Sequence, residues 1–359
     1  MNSYYIISPI TAFILSFLII PALRKIAIPI GLVDKPNYRK IHSNPVPLVG
    51  GIAIFFATIL ALTLVVPFNS ELLAYKNTFF GVVILLIVGV IDDRFDLRAS
   101  LKLAIQLLLA HFIFSQGIKI ESLNGFFGVY ALPEWFQYIL TIIIITGVVN
   151  AFNLMDGIDG LAAGMAIVGF AIFTVLATVN GQHYAAIIFL TSIGALLAFL
   201  RYNLSQKKKI FMGDAGSLII GFVMVVSGLH LIQAAQDSIH LSTITLGVIS
   251  VLFVPVFDAF RVFRRRLKSG KSPFQADKTH LHHLILITGL KHKMASFFIV
   301  SMMTLISIIG YLSFQFAGLT ISIAMMLFVF IIITTILQFN EKLNYWKNFI
   351  RQMENGTKE

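Results

Sequence analysis

Eleven apolar segments recur along the chain, near residues 3–23, 48–68, 78–91, 100–117, 135–154, 160–179, 183–202, 214–233, 240–261, 294–313 and 317–338. Crossing the hydrocarbon core of a bilayer takes about 20 mainly apolar helical residues. Inside lipid the backbone must satisfy its own hydrogen bonds, which leaves helices or closed barrels. Apolar runs of this length predict helices. The expected fold is all-α, a polytopic integral membrane protein with about eleven transmembrane helices, the third and fourth rather short. No basic stretch precedes the first segment and no small-residue cleavage site follows it, so it reads as a retained span. Composition agrees: 58% of the 359 residues are hydrophobic and 12% charged, against roughly 25% charged in soluble domains. That balance excludes an ordinary cytosolic globule, and it is the reverse of a disordered chain.

An odd number of spans puts the termini on opposite sides, and the basic residues say which. The loops 24–47, 92–102, 201–213 and 261–293 and the tail from 339 hold 25 of the 27 Lys and Arg; Lys76 and Lys119 are the other two. By the positive-inside rule those loops and the C-terminus are expected in the cytoplasm, with the N-terminus periplasmic. The net charge of +11 is thus read as orientation and anionic ligands, with no nucleic acid as partner. Nine of the ten aspartates, all but Asp237, fall on the same side. Repulsion from the membrane interior gives acids no preferred side, so the bias suggests one polar site. Residues 1–338 are expected to form a single catalytic domain with cytoplasmic site loops at 24–47, 92–99, 154–160, 203–214 and 262–293. Residues 339–359 make a basic tail.

Five segments could carry chemistry. Asp92-Asp93-Arg94-Phe95-Asp96 closes the third span. Adjacent carboxylates there oppose the helix dipole, so something cationic is expected to bind them; Mg²⁺ is a candidate, and proton acceptance a possible role. Asn150-Ala-Phe-Asn153-Leu-Met-Asp156-Gly157-Ile158-Asp159-Gly160 gathers two amides, two carboxylates and two glycines that let the backbone approach a ligand. The alternative is a helix–turn–helix with Asp159 as an N-cap. Lys207-Lys208-Lys209-Ile210-Phe211-Met212-Gly213-Asp214-Ala215-Gly216-Ser217 enters the eighth span, where backbone N–H groups can hold an anion; Asp214 could equally be a simple cap. Met212 stands where the Gly-Asp motif of intramembrane aspartyl proteases differs, which weakens that rival. The basic run Arg261, Arg264, Arg265, Arg266, Lys268, Lys271 leads to His280-Leu281-His282-His283, suited to phosphate bonding or metal ligation. With no cysteine in the chain and hard acids nearby, Mg²⁺ suits better than zinc. Asp34-Lys35-Pro36-Asn37-Tyr38-Arg39-Lys40-Ile41-His42 is a cationic first loop, weak alone. His111, His230 and Gln106, isolated in spans, read as helix-pair hydrogen bonds.

Taken in this order, the five segments resemble the polyprenyl-phosphate N-acetylhexosamine-1-phosphate transferase superfamily over residues 31–293. Asp34-Lys35-Pro36 with Arg39-Lys40 and His42, and Ser272-Pro273-Phe274 leading to Asp277 and the histidines, resemble its UDP-GlcNAc-using branch. The Thr-Pro-Thr-Met-Gly-Gly and Pro-Ile-His-His-His motifs of the peptidoglycan translocase are absent. The resemblance implies transfer of GlcNAc-1-phosphate from UDP-GlcNAc to undecaprenyl phosphate at the cytoplasmic face of a bacterial inner membrane, starting a cell-surface polysaccharide. It implies catalytic roles for Asp92, Asp93, Asp156, Asp159, His280, His282 and His283. Substrate binding falls to Lys40, His42, Asn150, Asn153, Gly157, Phe211 (stacking on uracil), Arg264 and Arg265. Mg²⁺, with Mn²⁺ as a substitute, would be held by Asp214, Asp93 and Asn153. Partners are the two substrates and the bilayer, and a homodimer is left open. Alternatives are another UDP-N-acetylhexosamine or, from a different class, an ion-coupled transporter, whose carboxylates belong nearer the midplane.

Overall fold

Each apolar segment falls on a helix in a computed structural model that describes residues 3–34, 44–270 and 279–356. In chain order the helices are α1 (Tyr4–Ile30), α2 (Gly50–Val65), a single turn α3 (Ser70–Leu73), α4 (Lys76–Phe95), α5 (Ala99–Ser115), α6 (Glu134–Met155), α7 (Leu161–Val179), α8 (His183–Asn203), α9 (Gly213–Gln233), α10 (Leu241–Lys268), the short α11 (Leu281–Leu286) and α12 (His292–Gly356). Non-helical backbone at Gly318 divides α12 into the last two predicted spans. Seven of these helices (α1, α6 to α10 and α12) are long and apolar enough to cross a membrane. At 1.5 Å per residue the shorter apolar helices α2 and α5 reach about 24–26 Å. α4 has 20 residues but carries Asp92, Asp93 and Arg94 in its last turns.

Two departures from the expected boundaries matter. α1 runs to Ile30 through Pro9, Pro21 and Pro29 and stops where Gly31 turns left-handed at φ 70°. α10 continues through the basic run to Lys268, so the first part of the expected 262–293 loop is helical, and α11 interrupts it again. The cause is local: Val262 and Arg266 are buried among the arginines, and cations in a last helical turn complement its dipole. The only sheet among the described residues is two antiparallel pairs. β1 (Val33–Asp34) joins β2 (Val46–Pro47), and β3 (Ser122–Phe126) joins β4 (Val129–Ala131).

α9 is the most enclosed span, and α1 and α12 the least. α2, α4 and α6 pack around α9, α1 lies on α8 and α2, and α12 leans on α10 and α7. The large exposed side chains along the outer helices, such as Ile6, Phe17, Leu108 and Phe297, are apolar, as lipid contact requires. Two close approaches fix the cleft end of the bundle. A methyl on Gly51 of α2 would collide with the backbone of Gly216, and one on Gly89 of α4 with that of Ala215. Only hydrogen at these positions lets α2 and α4 lie directly on the first turns of α9.

Candidate active site

Where α4 and α6 end and α5, α7 and α9 begin, a cleft of about 950 Å³ opens, lined by Asp92, Asp93, Asn153, Asp156, Gly157, Asp159, Lys209, Phe211, Asp214 and His283 among others. Four of the five sequence segments thus meet in one place, across more than 190 residues of chain, and the first loop contributes Asp34.

The adjacent aspartates of α4 have separate partners. Asp92 is 5% exposed; its Oδ1 accepts from the Leu97 N–H at 2.8 Å and its Oδ2 from Lys102 Nζ at 2.6 Å. Lys102 Nζ also reaches Asp214 Oδ2 at 3.2 Å, so one ammonium serves two carboxylates. Asp93 turns toward α9. Its Oδ1 accepts from the Asp214 N–H at 2.7 Å and its Oδ2 from the Ala215 N–H at 3.3 Å. α9 has no side-chain cap of its own, and Asp93 supplies one from the end of the adjacent α4, favourable to the exposed N–H groups and the dipole alike. Gly213, at φ 74°, makes room, since a Cβ there would collide with the Asp93 carboxylate. Asp214 is therefore not the simple cap of its own helix. Its Oδ1 accepts from Asn153 Nδ2 at 3.0 Å, and the same amide donates to Ser217 Oγ at 2.9 Å.

The α6–α7 turn forms the floor. Asp159 does not cap α7, whose N-cap is Gly160 at φ 81°; it accepts from Lys209 Nζ at 2.6 Å. Asn203 ties the turn down, accepting from the Gly160 N–H at 2.7 Å while donating to the Ile210 carbonyl at 2.9 Å. Burial, and then the nearby Asp214, Asp93 and Asp159, hold the Asp156 carboxyl well above the usual carboxylate range. Phe211 stands on the wall with Lys209 Nζ 5.2 Å from its ring centre. Its backbone is clamped to the start of α2: its N–H donates to the Pro47 carbonyl and its carbonyl accepts from the Gly50 N–H, at 2.9 and 3.0 Å.

The histidines divide. His283 lines the cleft, whereas His280 and His282 are buried behind it. His280 Nδ1 lies 2.9 Å from Oδ2 of the fully buried Asp258, so Nδ1 carries the proton. Asp258 also accepts from Arg261 at 2.7 Å and from the Leu281 N–H at 3.1 Å. The ring of His282 stacks parallel to His280 at 5.9 Å and presses against Gly157, where a Cβ would collide with it. Burial, and then the neighbouring histidines His283 and His280, push His282 down to about 3, so it is neutral at pH 7.

Other expected residues lie away from the cleft. Asn150 donates to Gln106 and to the Thr146 carbonyl, joining α6 to α5. Arg264 and Arg265 are on the helical extension of α10, and Arg265 meets Glu341 at 3.4 Å. Lys40, His42 and Asp277 lie outside the described residues. Of the isolated polar residues, His111 bonds Tyr138 and His230 bonds Thr78, both between helices. The sequence reading missed Lys102, Asn203 and Asp258 as site components, and with Asp258 its pairing to His280. Lys102 did leave a trace, since a cation in the first turn of a helix opposes the dipole and needs acidic company.

Fold and cleft together define a polytopic membrane protein with an acid-lined polar site at one end of its bundle. The family model for glycosyl transferase family 4 matches residues 76–232. The chain is 38% identical over 297 residues to a probable undecaprenyl-phosphate N-acetylglucosaminyl 1-phosphate transferase of Bacillus subtilis, covering 80% of this chain and 79% of that one. It is 34% identical to the undecaprenyl-phosphate α-N-acetylglucosaminyl 1-phosphate transferases of Yersinia pestis (83% and 81% covered) and Escherichia coli K12 (85% and 82%). The chain belongs to this family of membrane-embedded phosphoglycosyl transferases, which sets the transporter reading aside.

Proposed function

We propose that the chain transfers N-acetylglucosamine 1-phosphate from UDP-GlcNAc to undecaprenyl phosphate, releasing UMP and starting a cell-surface polysaccharide. The observation that carries this reading is the single cleft in which Asp92, Asp93, Asp156, Asp214, Lys209 and Phe211 converge at one end of an apolar bundle. A soluble nucleotide-sugar and the phosphate of a lipid anchored beside the bundle can meet there. The names of the relatives support this donor sugar and this acceptor. The cation bias of the loops supports a cytosol-facing cleft in a bacterial inner membrane.

An oxygen of the lipid phosphate attacks the phosphorus that bears the sugar, and the bond from that phosphorus to the UMP oxygen breaks. A phosphate monoester with a second pKa near 6 is largely dianionic at pH 7, so no strong base is needed and direct displacement suffices. Lys102, held between Asp92 and Asp214, is placed to orient the attacking phosphate. Phe211, its backbone clamped on both sides, offers a rigid face for the uracil, and Lys209 a charge beside it. Asp156 and Asp159 line the floor where the diphosphate would lie.

Asp92, Asp93 and Asp214 meet one bridging ammonium, and Asp156 beside them is held well above the usual carboxylate range by burial and by its acidic neighbours. That shortage of positive charge and the hard oxygen donors fit Mg²⁺, with Mn²⁺ as a substitute. Among the described residues no three His, Asp or Glu side chains form a ready metal cage. Mg²⁺ typically needs only one or two carboxylates, completed by substrate phosphates and water. Asp214, Asp93 and the Asn153 carbonyl are the natural protein ligands: each of the four carboxylate oxygens already accepts one hydrogen bond but keeps a further lone pair for the ion. When bound, the ion would neutralise charge on the diphosphate. The test is release of UMP, and of labelled lipid, by purified protein with UDP-GlcNAc and undecaprenyl phosphate. Turnover with a different UDP-N-acetylhexosamine but not with UDP-GlcNAc would overturn the sugar assignment.

A further inference from the structure

At the end of the bundle opposite the cleft, a second recess of about 520 Å³ lies between α2 and α4, with α7, α8 and α9 behind it. Its walls are apolar almost throughout, with Phe55, Leu62, Phe79, Phe170, Ile219 and Val223 among them. It is separate from the active site. Towards the cleft, Gly51 and Gly89 press α2 and α4 onto the first turns of α9, and no residue lines both cavities. A chain can enter only from the far leaflet or sideways from the lipid. At its mouth stands Lys76, exposed and without an ion-pair partner among the described residues. The sequence places just two of its 27 Lys and Arg at this end, and the other, Lys119, is engaged with Glu121 at 3.5 Å. Glu71, the nearest acid along the chain, makes no ion pair with Lys76. The one free cation at this end, among the described residues, is therefore set over an acyl-sized apolar groove.

We propose that this groove is a binding site for an anionic phospholipid of the leaflet opposite the cleft, with one acyl chain between α2 and α4 and the phosphate head group on Lys76. The undecaprenyl tail is a poor occupant, because its phosphate belongs in the cleft and the glycine contacts close the direct route between the two. A neutral phospholipid would fill the groove but leave Lys76 unmatched. One basic residue near a membrane surface contributes about 1 kcal/mol towards an anionic lipid, which is roughly a fivefold preference.

The full-length protein in nanodiscs of phosphatidylcholine with increasing phosphatidylglycerol tests this by native mass spectrometry of retained lipid. The expected result is one tightly held lipid, with phosphatidylglycerol favoured about fivefold. In Lys76→Glu the lipid should remain but the preference vanish, with transfer activity unchanged. In Ile59→Trp, which fills the groove from α2, the retained lipid itself should be lost, and a normal thermal unfolding profile shows that the variant is folded. Equal retention of both lipids by the wild type, an undiminished preference in Lys76→Glu, displacement of the lipid by undecaprenyl phosphate, or a second protein copy covering the groove would each overturn the proposal.

Discussion

Two walls of the active cleft treat charge in opposite ways. On the α4–α9 wall several acids share one cation: Lys102 alone bridges Asp92 and Asp214, with Asp156 close by. On the α10–α11 wall one acid serves several donors, since Asp258 accepts from Arg261, His280 and the Leu281 N–H. The first arrangement is short of positive charge and open to the cleft, so it is completed by a ligand. The second is buried and its acid is fully engaged, while Arg261 Nη1, His280 Nε2 and His282 Nδ1 are enclosed beside it without a hydrogen-bond partner among the described residues. Chemistry and positioning are thus separated in space, and Gly157 is where they touch, because it carries the cleft floor on one side and the His282 ring on the other.

The comparison breaks most easily at Asp214. Asp214→Ala should fold but lose transfer of labelled GlcNAc-1-phosphate by at least about 100-fold; near-normal turnover would mean that the acidic wall is not the reacting one. Lys102→Met should cost about as much or slightly less, on the order of 100-fold, while Lys102→Arg recovers part of it. Equal activity in Lys102→Met would show that the ammonium only relieves repulsion between Asp92 and Asp214.

On the other wall the loss should appear as stability. Removing one partner from a buried ionic cluster costs about 3–5 kcal/mol. Asp258→Ala should lower the thermal unfolding temperature in detergent far more than Asp214→Ala does, and the reverse order would dissolve the distinction between the walls.

The walls should also respond oppositely to pH. Asp156 has a raised pKa, so the folded chain holds a proton that the unfolded chain gives up near pH 4. Its contribution to stability is present at acid pH and lost as pH rises through the raised value. His282 is pushed down to about 3. Its contribution is present above about pH 6.5 and lost as pH falls towards 3. Asp156→Asn should flatten the alkaline side of a stability–pH curve, and His282→Phe the acid side. The smallest effect is expected at Arg265, whose ion pair with Glu341 is largely solvated; Arg265→Ala should change stability by no more than about 1 kcal/mol.

Much of this was legible in the sequence, for a physical reason. Lipid demands runs of apolar residues, so the spans could be counted, and acids gathered at helix ends announced a shared site. What was not legible was pairing across the bundle. Nothing local says that Asp93 caps a helix that starts 120 residues later, or that Asn150 is occupied by Gln106 on α5. The basic run after Arg261 read as a loop because its charges concealed Val262 and Arg266, which face inward and carry α10 on to Lys268. His280 and His282 looked like cleft residues because spacing along a chain does not distinguish a side chain that faces a ligand from one that holds the ligand's floor in place.

The cap that Asp93 places on α9 has a consequence for how the protein is made. The two bonded residues are 121 positions apart, so at roughly 5–20 residues per second α4 waits about 6–24 s after its own synthesis before its partner emerges. During that interval Asp93 has no helix end to bind, and α9 gains its cap, worth about 1 kcal/mol, only when it docks on an α4 already in place. The last stage of assembling the active site is thus tied to the order in which the helices enter the membrane. A chain permuted so that α9 precedes α4 would meet that dependence in reverse.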